Sequence, residues 1–242
     1  MIRVKTEDVL TQLPEMRQSV IPLDISRPFE YARALADFLG WLRDRSPERY
    51  KRARKAEQMV KLGYLLRLAA ELKLPPLFRF LDGLLQGGVK LLVFAVHKAF
   101  ITQLCERYGR KALALTGETP AGKRLELVKQ FERDDGVRLL VGNVKAAGTG
   151  FSIRATSTVV FGEFPWAPGE VLQAAKRAHG LNRGVQGVHT LVYHTVAKDT
   201  VEQTLVRLLQ QRQRNVSAVL DGRRAAPVLD IYDLLEAELR KG

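Results

Sequence analysis

The chain has 242 residues, 46% of them hydrophobic and 27% charged, the composition of a folded protein with room for a sizeable core. No apolar run reaches the ~18 residues of a membrane span, so no membrane partner is expected, and the one cysteine, Cys105, excludes an internal disulfide framework or a thiolate zinc site. Lys and Arg outnumber Asp and Glu 39 to 26, a formal +13, which points to a polyanionic partner because such a field attracts phosphate backbones and sheds their counterions on binding.

The first segment, 1–26, opens on "MIRVKTEDVLTQLP", which holds no apolar signal sequence, and continues into an extended stretch, "QSVIPLDI". The missing signal and single cysteine together imply a reducing compartment. The cytoplasm of a bacterial or virally infected cell is expected ahead of the nucleus. Over 27–75, "PFEYARALADFLGWLRD" and "SPERYKRARKAEQMVKLGYLLRLAAEL" space apolar residues by three and four, which predicts a helical hairpin. Its second helix is dense in Lys and Arg between 49 and 61, giving this protrusion a basic face.

After "LPP" at 74–76 the texture changes, and a second domain is expected over 76–198. Short apolar runs at 90–96, 112–117, 137–143, 157–163 and 187–196 read as strands, with helices at about 76–86, 98–108, 120–133 and 169–179. Such alternation predicts an α/β fold, a parallel sheet covered by helices on both faces. In these sheets ligands sit at the carboxyl ends of the strands, so the loops there are where chemistry is sought. A helix from 199 to about 215 and a last amphipathic one, "LDIYDLLEAELRK", form a C-terminal helical segment, 199–242.

Three loops carry candidate chemistry. "TGETPAGKRLE" contains a Gly-Lys pair, but a phosphate loop needs a hydroxyl after the lysine to hold magnesium, and here Arg124 follows Lys123. Pro120 reads instead as a first-turn proline of the helix that "RLELVKQF" continues. "GNVKAAGTGFS" follows a strand and offers Asn143, Lys145, Gly148 and Gly150, whose small residues let backbone approach a phosphate closely. "EVLQAAKRAHGLNRG" places Gln173, Arg177 and His179 near a helix end, with Arg183 beyond. An arginine's planar, permanently charged fork suits a transferring phosphoryl group, although composition alone favours solvated or phosphate-binding surface residues. His97, His189 and His194 lie in or beside strands and read as core or surface residues. No metal site is assigned.

In order, "KLLVFAVHKAFITQL", "LTGETPAGKRLELVKQF", "LLVGNVKAAGTGFSIRATSTVVFGEFPWAPGEVLQAAKRAHGLNRG" and "YHTVAKDTVEQTLVRLL" resemble the second motor lobe of Swi/Snf-type superfamily-two DNA translocases, the annealing-helicase branch most of all. "EDVLTQLPEMRQSVIPLDI" resembles the segment leaving the first lobe, so the likeness spans about 7–222. It implies a RecA-like lobe whose helical protrusion helps engage DNA. The resemblance assigns Lys98, Thr116, Asn143, Lys145 and Trp166 to DNA contact, and Gln173, Gly148 and Gly150 to the ATP side. Arg177 becomes an arginine finger, acting on ATP and magnesium held mainly by the first lobe.

The resemblance has gaps. Where the family motif reads Q-x-x-D-R-x-H-R-x-G-Q, this chain has Lys176 for the Asp, Gly180 for the second arginine and Arg183 for the last Gln. Either Arg183 substitutes for the lost finger, or the motor is slow or inactive. The phosphate loop belongs to a first lobe, expected as a separate chain or a removed part of this one. The leading expectation is therefore half of an ATP-dependent translocase on double-stranded or forked DNA, without ATPase activity alone. A stand-alone DNA-binding or regulatory module with an inactive motor lobe is the alternative, and an RNA-directed protein of the same superfamily is a third.

Overall fold

A computed structural model describes residues 16–43, 51–144, 153–163, 168–176 and 189–208. The elements are β1 (Met16–Leu23), α1 (Pro28–Arg43), α2 (Lys51–Gln86), β2 (Leu91–Ala95), α3 (Lys98–Tyr108), β3 (Ala112–Leu115), α4 (Ala121–Arg133), β4 (Leu139–Asn143), β5 (Thr158–Phe161), α5 (Pro168–Lys176) and β6 (Thr190–Ala197). A further helix, α6, occupies 201–208. The closing segment "LDIYDLLEAELRK" lies outside the described residues.

Six strands form one sheet in the order β1-β6-β5-β2-β4-β3. The pairs β3–β4, β4–β2, β2–β5 and β5–β6 are parallel. At the remaining edge Gln18 meets His194, and the Leu23 carbonyl accepts from the Lys198 N–H. Residue numbers rise together along both strands, so β1 is parallel as well. All five expected strands are present, and the extended stretch before them is the sixth. Parallel strands buried on both faces need unbroken apolar runs, and β2 is buried at all five positions.

The chain divides into two compact units, Met1–Ile21 with Leu81–Thr195, and Pro22–Phe80 with Val196–Gly242. In the first, Leu92, Phe94, Leu140, Val159, Phe161 and Val192 of one sheet face pack with Val128 and Phe131 of α4 and Ala174 and Ala175 of α5. The alternate residues Leu91, Val93, Ala95, Leu139 and Val141 are buried too, and α3 lies against β2, β3 and β4. Its buried side chains are Phe100, Ile101 and Leu104. The expected covering of both sheet faces follows from this alternation.

In the second unit, α2 departs from expectation. Rather than ending at "LPP", the helix runs through Pro75 and Pro76. Proline has no N–H to bond the carbonyl four residues back, which normally breaks a helix. The carbonyl that Pro76 leaves without its helical donor is Leu72's, and both the Ser26 N–H (2.9 Å) and the Ser26 hydroxyl (3.0 Å) donate to it. A segment 46 positions away thus supplies the missing partners. Lys73, one residue on, is fully buried, and its ammonium bonds both carboxylate oxygens of Glu202, at 2.6 and 2.8 Å. Glu202 Oε2 also accepts from the Ala197 N–H, and the Tyr31 hydroxyl accepts from the Val201 N–H at 2.9 Å. Burial pushes the Tyr31 phenol well above its ordinary range. The side chains of 51–59, which carry much of the expected basic face, lie outside the described residues.

One buried titrating group belongs to the sheet. His194 stacks on Phe161 with ring centroids 5.1 Å apart, and burial holds its pKa down to about 4. An unfolded histidine titrates near ~6.5. The neutral ring's contribution is therefore present above pH 6.5 and lost as the pH falls towards 4. Between pH 7 and pH 4.5 wild type should lose about 2 kcal/mol more stability than His194→Gln. Urea unfolding of both proteins across that range measures it; equal losses would remove His194 as the cause.

Candidate nucleic-acid interface at the carboxyl edge of the sheet

The carboxyl ends of β2, β3, β4 and β5 bring three of the expected DNA-contact residues, Lys98, Thr116 and Asn143, to one edge. Lys98 is the first residue of α3 and is exposed. Its ammonium pairs with both oxygens of Glu118, at 2.7 and 2.9 Å. Thr116 leaves β3 into a tight loop in which its N–H donates to Thr119 Oγ1 at 3.1 Å and the Thr119 N–H returns to the Thr116 carbonyl at 3.1 Å.

Arg124 fastens this loop. Its Nε donates to the Thr119 carbonyl (2.7 Å) and its Nη2 to the Gly117 carbonyl (3.1 Å). A phosphate loop turns its N–H groups inward; here the Thr119 and Gly117 carbonyls face a guanidinium, the reverse of that arrangement. Pro120 takes the N-cap position, one residue before the first helical turn.

Asn143 ends β4 half-buried, and its Nδ2 donates to the Val96 carbonyl at 2.7 Å. That contact ties the β4 and β2 loops together, and the Val144 N–H adds a second tie to the Ala95 carbonyl at 3.2 Å. The strongest anchor was not singled out from the sequence. Glu163, just past β5 and buried, accepts from the N–H groups of Val96 (2.9 Å) and His97 (2.8 Å) through Oε2. Its Oε1 accepts from His97 Nδ1 at 2.6 Å. Three charge-assisted bonds from one carboxylate fix the backbone entering α3, and with it the position of Lys98. The signal available beforehand was an acid directly after a buried apolar strand. Its partner depends on β2 and β5 being neighbours, which sequence spacing does not reveal.

Gln173 lies on α5 and is exposed, as is Lys176, while Ala174 and Ala175 between them are buried in the core. Lys145, Gly148, Gly150, Trp166, Arg177, Gly180 and Arg183 lie outside the described residues. Among the described residues no group of three or more metal-ligating side chains occurs, and no helix is long and apolar enough to cross a membrane.

Residues 74–182 match the family model of the helicase conserved C-terminal domain. A mouse DNA annealing helicase and endonuclease, ZRANB3, is 28% identical over 93% of this chain and 21% of its own length. A Caenorhabditis elegans homolog of SWI/SNF-related matrix-associated actin-dependent regulator of chromatin subfamily A-like protein 1 is 27% identical over 88% of this chain and 30% of its own. The chain thus carries a helicase conserved C-terminal domain over 74–182, and the relatives it resembles are of the SWI/SNF kind. It spans only a fifth to under a third of these relatives.

Solved structures of such lobes share the fold. The C-terminal part of the Fun30 ATPase domain superposes with a TM-score of 0.66 at 14% identity, covering 95% of this chain and 99% of that one. The Sulfolobus solfataricus SWI2/SNF2 ATPase C-terminal domain gives 0.65 at 16% identity over 94% and 97%. The RecA-like α/β expectation holds. The expected setting does not: the curated relatives are animal proteins, several of them named as regulators of chromatin, which overturns a bacterial or viral cytoplasm. The lone cysteine fits any reducing compartment, so it could not have selected the cytoplasm.

Proposed function

We propose that this helicase lobe works as the second half of an ATP-driven motor on double-stranded DNA. The observation that carries the reading is the meeting of Lys98, Thr116 and Asn143 at the carboxyl edge of a SWI/SNF-kind lobe. Lys98 offers a cation to the phosphate backbone, and its exposed pairing with Glu118 is weak enough to exchange for one. Thr116 and Asn143 hold the loops around it, while Lys145 and Trp166 extend the contact; Gly148 and Gly150 belong to the ATP side. Contact with phosphates alone fixes register without reading bases.

ATP and magnesium belong to a first lobe, in this polypeptide or another; when bound they supply the phosphoryl group whose transfer drives the step. Toward it this lobe contributes Gln173 and Arg177, with Arg183 covering the position where Gly180 lacks a side chain. Support comes from a solved Sulfolobus solfataricus SWI2/SNF2 ATPase core in complex with double-stranded DNA, which matches 81% of this chain at a TM-score of 0.62.

The deciding measurement is ATP hydrolysis by this chain with duplex DNA, with and without a purified first lobe. Hydrolysis only in the mixture is expected. Turnover by the chain alone would defeat the reading. Silence in both with duplex binding intact would favour a regulatory module, the reading to which Lys176 and Gly180 lean. Forked DNA and RNA enter as competitors of the duplex.

A further inference from the structure

Among its described residues, the sheet unit also gathers cations at an edge remote from its motif loops. At the carboxyl edge, the described segments 96–98, 116–124, 143–144 and 162–163 carry Lys98, Lys123 and Arg124 against Glu118 and Glu163, with Lys98 paired to Glu118 and Arg124 bonded to the loop carbonyls. At the opposite, amino edge, segments 87–90, 109–111, 132–138, 154–157 and 189 carry Lys90, Arg110, Lys111, Arg133, Arg138 and Arg154 against Glu132, Asp134 and Asp135, the Glu132 carboxylate accepting from the Arg154 N–H at 2.8 Å. Charge kept only for solubility has no reason to gather on one edge.

The register aligns these cations. Ala112 pairs with Leu139 and Leu139 with Leu91, so Lys111, Arg138 and Lys90 occupy one row across β3, β4 and β2. Arg138 N–H donates to the Lys111 carbonyl and Leu91 N–H to the Arg138 carbonyl, both at 2.8 Å. The Thr156 hydroxyl, bonded to the Lys90 carbonyl, carries the row on to the segment before β5, where Arg154 lies. Four neighbouring strands at about 4.8 Å apart span roughly 14 Å. One strand of a duplex carries a phosphate about every 3.4 Å of axis, so a row of this length lies within reach of more than one phosphate.

Its members divide by role. Lys90 is committed to the fold: its ammonium bonds the carbonyls of Phe131 (2.7 Å) and Asp134 (2.9 Å), closing the end of α4 where the helix dipole is negative. Arg138 Nη2 is turned to the Val89 carbonyl at 3.1 Å. Arg110, Lys111, Arg133 and Arg154 are exposed, and none forms an ion pair among the described residues. The edge's carboxylates are spoken for locally: Glu132 Oε1 accepts from the Arg154 N–H and Asp134 Oδ1 from the Gly136 N–H, both at 2.8 Å, and Asp135 lies 3.7 Å from Lys90.

We propose that this amino edge is a second phosphate-binding surface, holding a separate duplex DNA segment while the carboxyl-edge loops engage the first. It rests on the reading that the lobe works on duplex DNA. The two edges lie at opposite ends of the strands, five residues or about 17 Å apart in β2, and face opposite directions. One straight stretch of backbone cannot lie along both.

The test is capture of a labelled short duplex by an immobilised duplex through the full chain. R110Q, K111Q, R133Q and R154Q combined should cut capture about tenfold and lower its log-log salt slope by about three, while affinity for one short duplex stays within about twofold. The charge-keeping set R110K, K111R, R133K and R154K should capture like wild type. An unchanged urea midpoint of the Gln set checks that these exposed positions leave folding alone. Capture by the Gln set equal to wild type overturns the proposal, as does a wild type that binds duplex and captures none. Loss of single-duplex binding by the Gln set also overturns it, since the amino edge would then be the sole site. A wild type that binds no duplex fails differently, because it removes the motor reading itself.

Discussion

With a first lobe present, Arg177→Ala should lower DNA-stimulated ATP hydrolysis by about 10³-fold or more while leaving duplex affinity within about twofold of wild type. Arg177 directly follows Lys176, the last residue of α5. An arginine placed there contributes only when charge develops on the transferring phosphoryl group, so its loss appears in turnover and not in binding. Gly180 sharpens the experiment, because the family motif has arginine at that position. If Arg183 replaces it, Arg183→Ala should cost a further large factor, and Gly180→Arg should add little. If nothing replaces it, Gly180→Arg should raise turnover and Arg183→Ala should leave it unchanged. Hydrolysis that survives Arg177→Ala at the wild-type rate would end the finger assignment.

The largest effect on stability is expected at Lys73 and Glu202. Glu202→Gln leaves a fully buried ammonium without its counter-charge and should destabilise the protein by about 3–5 kcal/mol. Lys73→Met removes the cation but leaves the Glu202 carboxylate buried, with the Ala197 N–H still donating to it, and should fall in the same range. Combining Lys73→Met with Glu202→Leu removes both charges, and a buried pair replaced by apolar side chains of similar volume is often neutral or better. The double variant should therefore be more stable than either single one. Urea unfolding of wild type, Lys73→Met, Glu202→Leu and their combination forms a double-mutant cycle. Single variants within about 1 kcal/mol of wild type would mean that water or another group reaches the pair.

Much of the sheet was legible because its physics is local. "LLVFAV" and "LLVG" are apolar without interruption, and such short runs between helical segments fit strands buried on both faces. The helix at 98–108 was legible for the same reason, since its apolar spacing is complete within three turns. What escaped depends on partners distant in sequence. Two successive prolines signal the end of a helix, and only Ser26, brought to the Leu72 carbonyl, makes them tolerable inside α2. Lys73 reads as one more cation in a basic helix until Glu202 is beside it, 129 positions later. Lys98, Thr116 and Asn143 could be placed at strand ends from the motifs, but Glu163, which fixes the loop before Lys98, could not. Its three donors come from a strand that becomes a neighbour only through the sheet order.

The pairing of β1 with β6 has a consequence for how the chain is made. Gln18 and His194 are 176 positions apart. A ribosome adding about 5–20 residues per second needs roughly nine to thirty-five seconds to cover that distance. Through that interval β1 has left the ribosome and has no strand to join, so water must satisfy its backbone. The central strands β2, β4, β3 and β5 can form meanwhile, because all their residues precede β6. The first strand synthesised is thus among the last to be incorporated, and a nascent chain halted before 190 would leave β5 as a bare sheet edge.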